Sequence, residues 1–398
     1  MRGEGFTCER IERVRSVMAG HVEHGEVPGL VWALHRRGES LVEAVGVQAV
    51  GSKVPMRGDT LFRITSMTKP VVAAAALALV EECRLRLDDP VDRFLPELAD
   101  RRVLRRIDGP LDETVPAVRP ITLRDLLTFR MGFGMSMEPS SHWPIEQAAR
   151  ELELCIGPPL PRTRLDADEW IRRLGTLPLM HQPGARWMYN TASDVLGVLL
   201  ARATGKPLER VLQERIFEPL GMRDTGFHVP NEKLGRFASA YEPNGTGGIR
   251  LHDGAEESPW SRPPAFAAGR DGLVSTANDY LAFARMLLDK GRYDGRQLLS
   301  RRTVEVMVTD QITPAQKARS PFDPGFWDRN GWGFGVSVIT RRDGIAATPG
   351  RFGWYGGYGT SWFSDPQEGL AGVLMTQRML PPEIFEDFEV SAYQALTD

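Results

Sequence analysis

Cysteine is scarce in this chain: Cys8, Cys83 and Cys155 are the only three among 398 residues. They form no Cys-x-x-Cys pair and no Cys/His set with metal-ligand spacing, and an odd number fits free thiols in a reducing compartment better than a disulfide framework. Long apolar runs are also missing. The longest, residues 71–80, is too short to span a bilayer, and Met1-Arg2-Gly3-Glu4-Gly5-Phe6-Thr7 lacks the apolar core of a signal peptide. The expectation is therefore a cytoplasmic protein with no membrane partner. Nor is there an excess of either charge. Lys plus Arg number 49 against 52 Asp plus Glu, and the arginines are scattered, which gives no support to a nucleic-acid partner.

What is present is ordinary globular material: 42% hydrophobic, 25% charged, with 40 Gly and 29 Pro marking many turns. The length exceeds what a single core usually reaches, so two structural units sharing an interface are expected. Residues 8–25 carry a helical apolar stripe at Ile11, Val14, Met18 and Val22, with Thr7 as its cap. Residues 30–34 and 41–45 read as a β-hairpin. From about 87 to 264 the pattern is mostly helical, notably at 123–129, 194–204 and 207–217. After Gly269 come a helix near 277–289, β-like runs at 336–340, 359–363 and 370–375, and a last helix near 383–396. The reading is an α/β layer structure made of residues 1–65 and 270–398, interrupted by a mainly helical unit, 66–269. Within that unit, residues 132–164 are rich in Met, Pro and Arg with one helical stretch near 145–154. Such a connection is either a lid or binding wall, with Met135, Met137 and Trp143 available to it, or a surface loop without a role.

The most informative stretch is Ile64-Thr65-Ser66-Met67-Thr68-Lys69-Pro70, which runs into the apolar segment 71–80. Pro70 fits the first turn of a helix, so Ser66 reads as a helix-start residue and Lys69 lies one turn on along the same face. A serine hydroxyl is a weak nucleophile at neutral pH. A desolvated, neutral lysine amine within hydrogen-bond reach can take its proton, and the helix N-terminus offers N–H groups to a developing oxyanion. The bland alternative, a capping serine and an exposed lysine, suits a surface helix, whereas this helix is too apolar to be one.

Two further stretches carry chemistry only in company. Trp187-Met188-Tyr189-Asn190-Thr191-Ala192-Ser193-Asp194 offers a phenol that can relay protons, although alone it reads as a core aromatic. Gly353-Trp354-Tyr355-Gly356-Gly357-Tyr358-Gly359 offers backbone N–H groups at a strand edge, although alone it reads as a glycine-rich turn or bulge.

In this order the three stretches resemble those of the serine β-lactamase and penicillin-recognising superfamily, in particular the class C-like branch with the family VIII carboxylesterases. The likeness extends to Asp59-Thr60-Leu61-Phe62, Leu87-Asp88-Asp89-Pro90, Pro219-Leu220-Gly221-Met222 and Gly331-Trp332-Gly333-Phe334-Gly335, nearly the whole chain. It implies a β-lactamase/transpeptidase-like α/β fold, with a central antiparallel sheet flanked by helices, a mainly α domain, and an active site between them. Ser66 then takes the nucleophile position, Lys69 the base position and Tyr189 the tyrosine position. The N–H groups of Ser66 and Gly357 form the oxyanion hole, and Trp354, Tyr355, Gly356, Thr191 and Asp194 face substrate. The expected reaction needs no metal or cofactor. Its partner is a small-molecule ester, and the oligomeric state is left open.

Departures from the pattern bear on the substrate. Where penicillin-recognising relatives carry Lys-Thr-Gly, this chain has Trp354-Tyr355-Gly356. Tryptophan cannot hold a substrate carboxylate by a charge-assisted bond, a loss of about 1.5 to 3 kcal/mol for anionic substrates. Thr191 stands where the family usually has Asn, which further disfavours acylamide-bearing β-lactams. With Lys69 the only cation that these stretches identify, Tyr189 should ionise less readily, leaving proton transfer to Lys69 or to a Lys–Tyr pair. Phe129 stands where relatives often have His. No Gly-x-Ser-x-Gly elbow occurs, which disfavours an α/β-hydrolase. The expectation is a serine carboxylesterase for short to medium acyl groups. The alternatives are β-lactamase or D-peptidase activity, acyl transfer to an alcohol, or a silent ligand-binding homologue.

Overall fold

A computed structural model describes residues 5–135, 137, 143–154 and 163–397. Cys155 and much of the 132–164 segment, for which a lid was one reading, lie outside the described residues. The central element is a seven-stranded sheet of β1 (Gly29–Arg36), β2 (Glu39–Gly46), β3 (Asn330–Trp332), β4 (Ser337–Ile339), β5 (Phe352–Gly356), β6 (Thr360–Asp365) and β7 (Leu370–Thr376). Its order is β3-β4-β5-β6-β7-β1-β2, with every neighbouring pair antiparallel. The fold is the β-lactamase/transpeptidase-like one expected from the sequence. Early and late segments of the chain meet within the sheet, where β1 pairs with β7 through Val31 opposite Met375 and Leu34 opposite Gly372.

Period-two alternation sends β1 and β7 side chains into two cores. On one face Leu30, Trp32, Leu34, Leu370 and Leu374 meet Ile11, Val14 and Met18 of the helix Cys8–Glu23 and Ile384, Phe388 and Ala392 of the helix Pro382–Gln394. On the other, Val31, Ala33, Ala371, Val373 and Met375 begin an apolar cluster that continues through the helices Ala277–Leu288 and Thr68–Glu81 into Leu123–Leu127 and Thr191–Thr204. β1 is buried along its whole length, as expected of a strand covered on both faces.

The helix Thr68–Glu81 lies inside this cluster, with residues 68–77 and Leu79 all buried. A helix apolar on every side belongs in a core, and its four consecutive alanines let neighbours approach closely. Sequence reading placed its start at Ser66. Instead a 3₁₀ turn, Thr65–Met67, precedes an α-helix that begins at Thr68. Ser66 lies in the 3₁₀ turn and Lys69 in the first turn of the α-helix, and the three-residue spacing across that junction leaves both side chains on one face. Thr7, expected to cap the first helix, stands at the cap position, yet its hydroxyl makes no capping bond and is buried without a partner among the described residues.

The stretch containing Trp354, which alone reads as a turn, forms strand β5. Gly356 ends it against the turn that carries Ser66, where a Cβ would lie 2.3 Å from the Ile64 carbonyl oxygen and 2.4 Å from Thr360 Oγ1. Gly356→Ala is expected to lose about 1 to 3 kcal/mol of stability through overpacking. A fall in Tm of several degrees in a thermal melt would show it, and an unchanged Tm would refute the contact.

Candidate active site

Three backbone outliers mark the site. Thr65, Phe129 and Asn190 have φ of 41°, 56° and 77°, left-handed values that cost non-glycine residues energy and persist where surroundings enforce them. Thr65 precedes Ser66, Asn190 follows Tyr189, and the Phe129 ring lies 6.0 Å from that of Tyr189.

Lys69 is 1% exposed. Its Nζ donates to Ser66 Oγ at 2.9 Å and to the Arg270 carbonyl oxygen at 2.7 Å, and lies 4.4 Å from the centre of the Tyr189 ring. Burial lowers its pKa to about 7, with Asp271 and Asp194 pulling it back up and Arg270 pushing it down. At neutral pH a large share of this amine is therefore unprotonated and able to accept a proton, the state a base requires. Ser66 is only half-buried, so its hydroxyl is reachable.

Tyr189 is 8% exposed. Burial drives its pKa above the usual phenol range, while hydrogen bonds to Ser66 and Trp354 pull it partly back. The Trp354 indole N–H donates to the Tyr189 hydroxyl oxygen at 2.7 Å. Tyr189 is thus a protonated phenol at neutral pH, as expected from the missing lysine. With its oxygen accepting from Trp354, its own proton remains available for transfer.

Phe129, Trp187, Trp332 and Trp354 surround the tyrosine ring, with centroids between 5.6 and 6.5 Å away. This supplies the missing account of Phe129: its ring stacks into the wall that fixes the tyrosine. Trp354, expected to line a substrate pocket, is 3% exposed and instead turns inward as the partner of Tyr189.

The remaining expected residues divide. A Cβ on Gly357 would meet nothing within 4 Å, and its N–H finds no protein acceptor among the described residues. A free N–H beside open space is what an oxyanion hole needs. Tyr355 is half-buried, stacked at 4.6 Å on Trp354, and donates from its hydroxyl to Asp323 Oδ2 at 3.3 Å. Gly356, expected at the substrate, serves close packing against Ile64. Thr191 opens its helix and is buried, its hydroxyl unpartnered among the described residues. The substrate contact expected of Asp194 gives way to a buried ion pair. Its Oδ1 accepts the Arg270 backbone N–H at 3.1 Å, its Oδ2 lies 3.3 Å from Arg270 Nε, and Asp271 Oδ2 lies 3.0 Å from that same nitrogen. Burial raises the Asp194 carboxyl pKa and Arg270 lowers it.

Sequence reasoning missed Arg270 and Asp271. The only signal was a charged Arg-Asp pair between glycines just before an apolar strand, Gly269 to Val274. Of the lid candidates, Met135 pairs through its backbone N–H with the Tyr189 carbonyl at 2.9 Å, and Met137 and Trp143 are half-buried. Among the described residues no group of His, Cys, Asp and Glu is arranged to hold a metal ion, and no helix is long and apolar enough to cross a membrane.

Residues 14–395 match the family model described as Beta-lactamase. The chain belongs to the β-lactamase family. It is 41% identical over 361 residues to Protein Rv1367c of Mycobacterium tuberculosis (strain ATCC 25618 / H37Rv), spanning 89% of this chain and 86% of that one. It is 33% identical over 387 residues to Esterase EstB of Burkholderia gladioli, spanning 92% and 87%. Among solved structures it resembles EstCE1, described as a hydrolase with promiscuous acyltransferase activity, with a TM-score of 0.80 at 26% identity over 96% of this chain and 98% of that one. This β-lactamase family member is an enzyme, a serine hydrolase.

Two outcomes follow from the geometry. Only the neutral form of this amine can take a proton from Ser66, and its pKa is lowered to about 7, so kcat/KM should rise about tenfold per pH unit below 7 and level off above it. An ascending limb centred near 5 would remove Lys69 as the base. Trp354→Phe keeps an aromatic ring but removes the N–H, and should lower kcat roughly tenfold. An unchanged kcat in steady-state assays would show that the indole bond to Tyr189 is idle.

Proposed function

We propose that this family member is a carboxylesterase for short to medium acyl groups that works through an acyl-enzyme on Ser66. The observation that carries the reading is the 2.9 Å contact between Ser66 Oγ and an amine whose pKa is lowered to about 7 by burial. The esterase named among its relatives supports the same class of reaction.

In acylation Ser66 Oγ attacks the ester carbonyl carbon while its proton moves to Lys69 Nζ. The N–H groups of Ser66 and Gly357 receive the oxyanion. The tetrahedral intermediate collapses by breaking the bond to the alcohol oxygen, which takes the proton from Lys69 by way of the Tyr189 hydroxyl. Water then enters, returns a proton to Lys69 along the same path, and adds its oxygen to the acyl carbon. Ser66 Oγ leaves with that proton and the acid is released. Tyr189 can act in this relay because it stays a phenol near neutrality.

Ester preference over β-lactams rests on position 354. A cation there would attract a substrate carboxylate, whereas Trp354 is buried, neutral and committed to Tyr189. Acyl transfer to an alcohol in place of water uses the same intermediate, and the acyltransferase activity named for EstCE1 keeps that reading open.

Ser66→Ala should abolish turnover of a p-nitrophenyl butyrate probe with little change in Tm, and should remove labelling by a fluorophosphonate. Substantial activity in that variant would overturn the assignment. Lys69→Arg should be nearly as damaging, because a guanidinium cannot give up its proton near neutrality. A panel of short-chain aryl esters, a chromogenic cephalosporin and a peptide ending in two D-alanines should show turnover of the esters alone. Comparable kcat/KM on the cephalosporin would refute the substrate class.

A further inference from the structure

Phe322, which packs against the Tyr189 ring, also lines an open pocket of about 340 Å³ together with Asp323, Phe326, Trp327, Asp328 and Lys317, among others. Phe322 is the shared wall, with its ring centroid 5.6 Å from Tyr189 and 6.2 Å from Trp354. Phe326 and Trp327 extend that wall at 4.9 Å steps and are half-buried; the Lys317 ammonium lies 5.8 Å over the Trp327 ring, so among the described residues the rings of Phe322 and Phe326 are the ones without a cation of the protein's own on them.

The charges around this cavity are not balanced. Lys317 is held by Asp310 Oδ2 at 2.6 Å and by the Asn330 carbonyl oxygen at 3.1 Å. Asp323 and Asp328 are exposed, and neither forms an ion pair among the described residues. Asp323 is joined to the catalytic group through Tyr355. Its Oδ2 accepts the Tyr355 hydroxyl, the Tyr355 ring stacks on Trp354, and the Trp354 N–H meets the Tyr189 oxygen. Both phenols are raised chiefly by burial, and the Asp323 charge adds to each. Negative potential therefore reaches the reacting centre from this side.

We propose that Asp323 and the aromatic wall of Phe322 and Phe326 form a subsite for a cationic substituent of the ester, so that this enzyme prefers ammonium-bearing esters and rejects anionic ones. The inference rests on the esterase reading above and names its substrate class. Aromatic faces and a nearby carboxylate are the chemistry that recognises a quaternary ammonium group. The same carboxylate repels a carboxylate substrate, so losing the lysine at position 354 and placing Asp323 nearby discriminate in the same direction.

The test uses three p-nitrophenyl esters whose acyl chains end in trimethylammonium, in its neutral tert-butyl isostere, or in carboxylate. At low salt kcat/KM should fall in that order, with the cation favoured over the isostere on the order of tenfold. The advantage should shrink as ionic strength rises to about 0.5 M, where screening is strong. In Asp323→Asn the cation-to-isostere ratio should drop to a few-fold, and in Asp323→Lys the carboxylate ester should overtake the cationic one. A wild-type ratio at or below one, or a ratio indifferent to both substitutions and to salt, would overturn the subsite. Hydrolysis of the neutral isostere that Ser66→Ala does not abolish would instead overturn the esterase reading, so the two failures are distinguishable.

Discussion

Burying one primary amine is the constraint on which the rest of this structure depends. Lys69 is 1% exposed on a helix that is itself wrapped by apolar side chains, and water cannot reach it to stabilise a charge. Desolvation of this kind favours the neutral amine, which makes lysine useful as a base near neutrality. The site does not leave the amine without support. The Arg270 carbonyl accepts from it, and Asp194 fixes that residue by accepting its backbone N–H. The buried acids Asp194 and Asp271 moderate the desolvation, so that the amine titrates within the working range of an enzyme and is not held neutral at every pH.

The second organising feature is the exchange of a cation for an indole. A lysine at position 354 would lower the tyrosine's pKa and attract anionic substrates. Trp354 instead gives one neutral hydrogen bond and a large apolar surface, and the aromatic wall around Tyr189 is built on that surface. Of the two groups beside Ser66, the amine of Lys69 is the one whose pKa lies near neutrality, and the Tyr189 phenol keeps its proton. One substitution of residue type thus bears on base identity, pH response and substrate charge together.

The closeness of Ser66 and Lys69 was legible in the sequence because its signal is local, a three-residue spacing ahead of an apolar helix; Tyr189 alone read as a core aromatic and joined them only through the family resemblance. The outer hairpin β1–β2 and the helices at both ends were legible for the same reason, through periodicity. What was not legible depends on contacts between distant parts of the chain. Arg270 reaches Lys69 across 201 positions and Trp354 reaches Tyr189 across 165. Neither residue carries a mark of its partner in its own neighbourhood. Strand β5 was obscured by its glycines, which serve close approach to Ile64 and to the Trp362 carbonyl. Asp194 was misread because its place in the motif hides its buried pairing with Arg270.

The left-handed backbone at Thr65 has a consequence for engineering. A β-branched residue at φ 41° next to Ser66 stores strain that the closely packed end of β5 must hold in place. Replacing it with glycine would relieve that strain while deleting a fully buried side chain. The same relief would free Ser66 to drift from its amine, so a substitution selected for stability at this position would tend to sacrifice turnover.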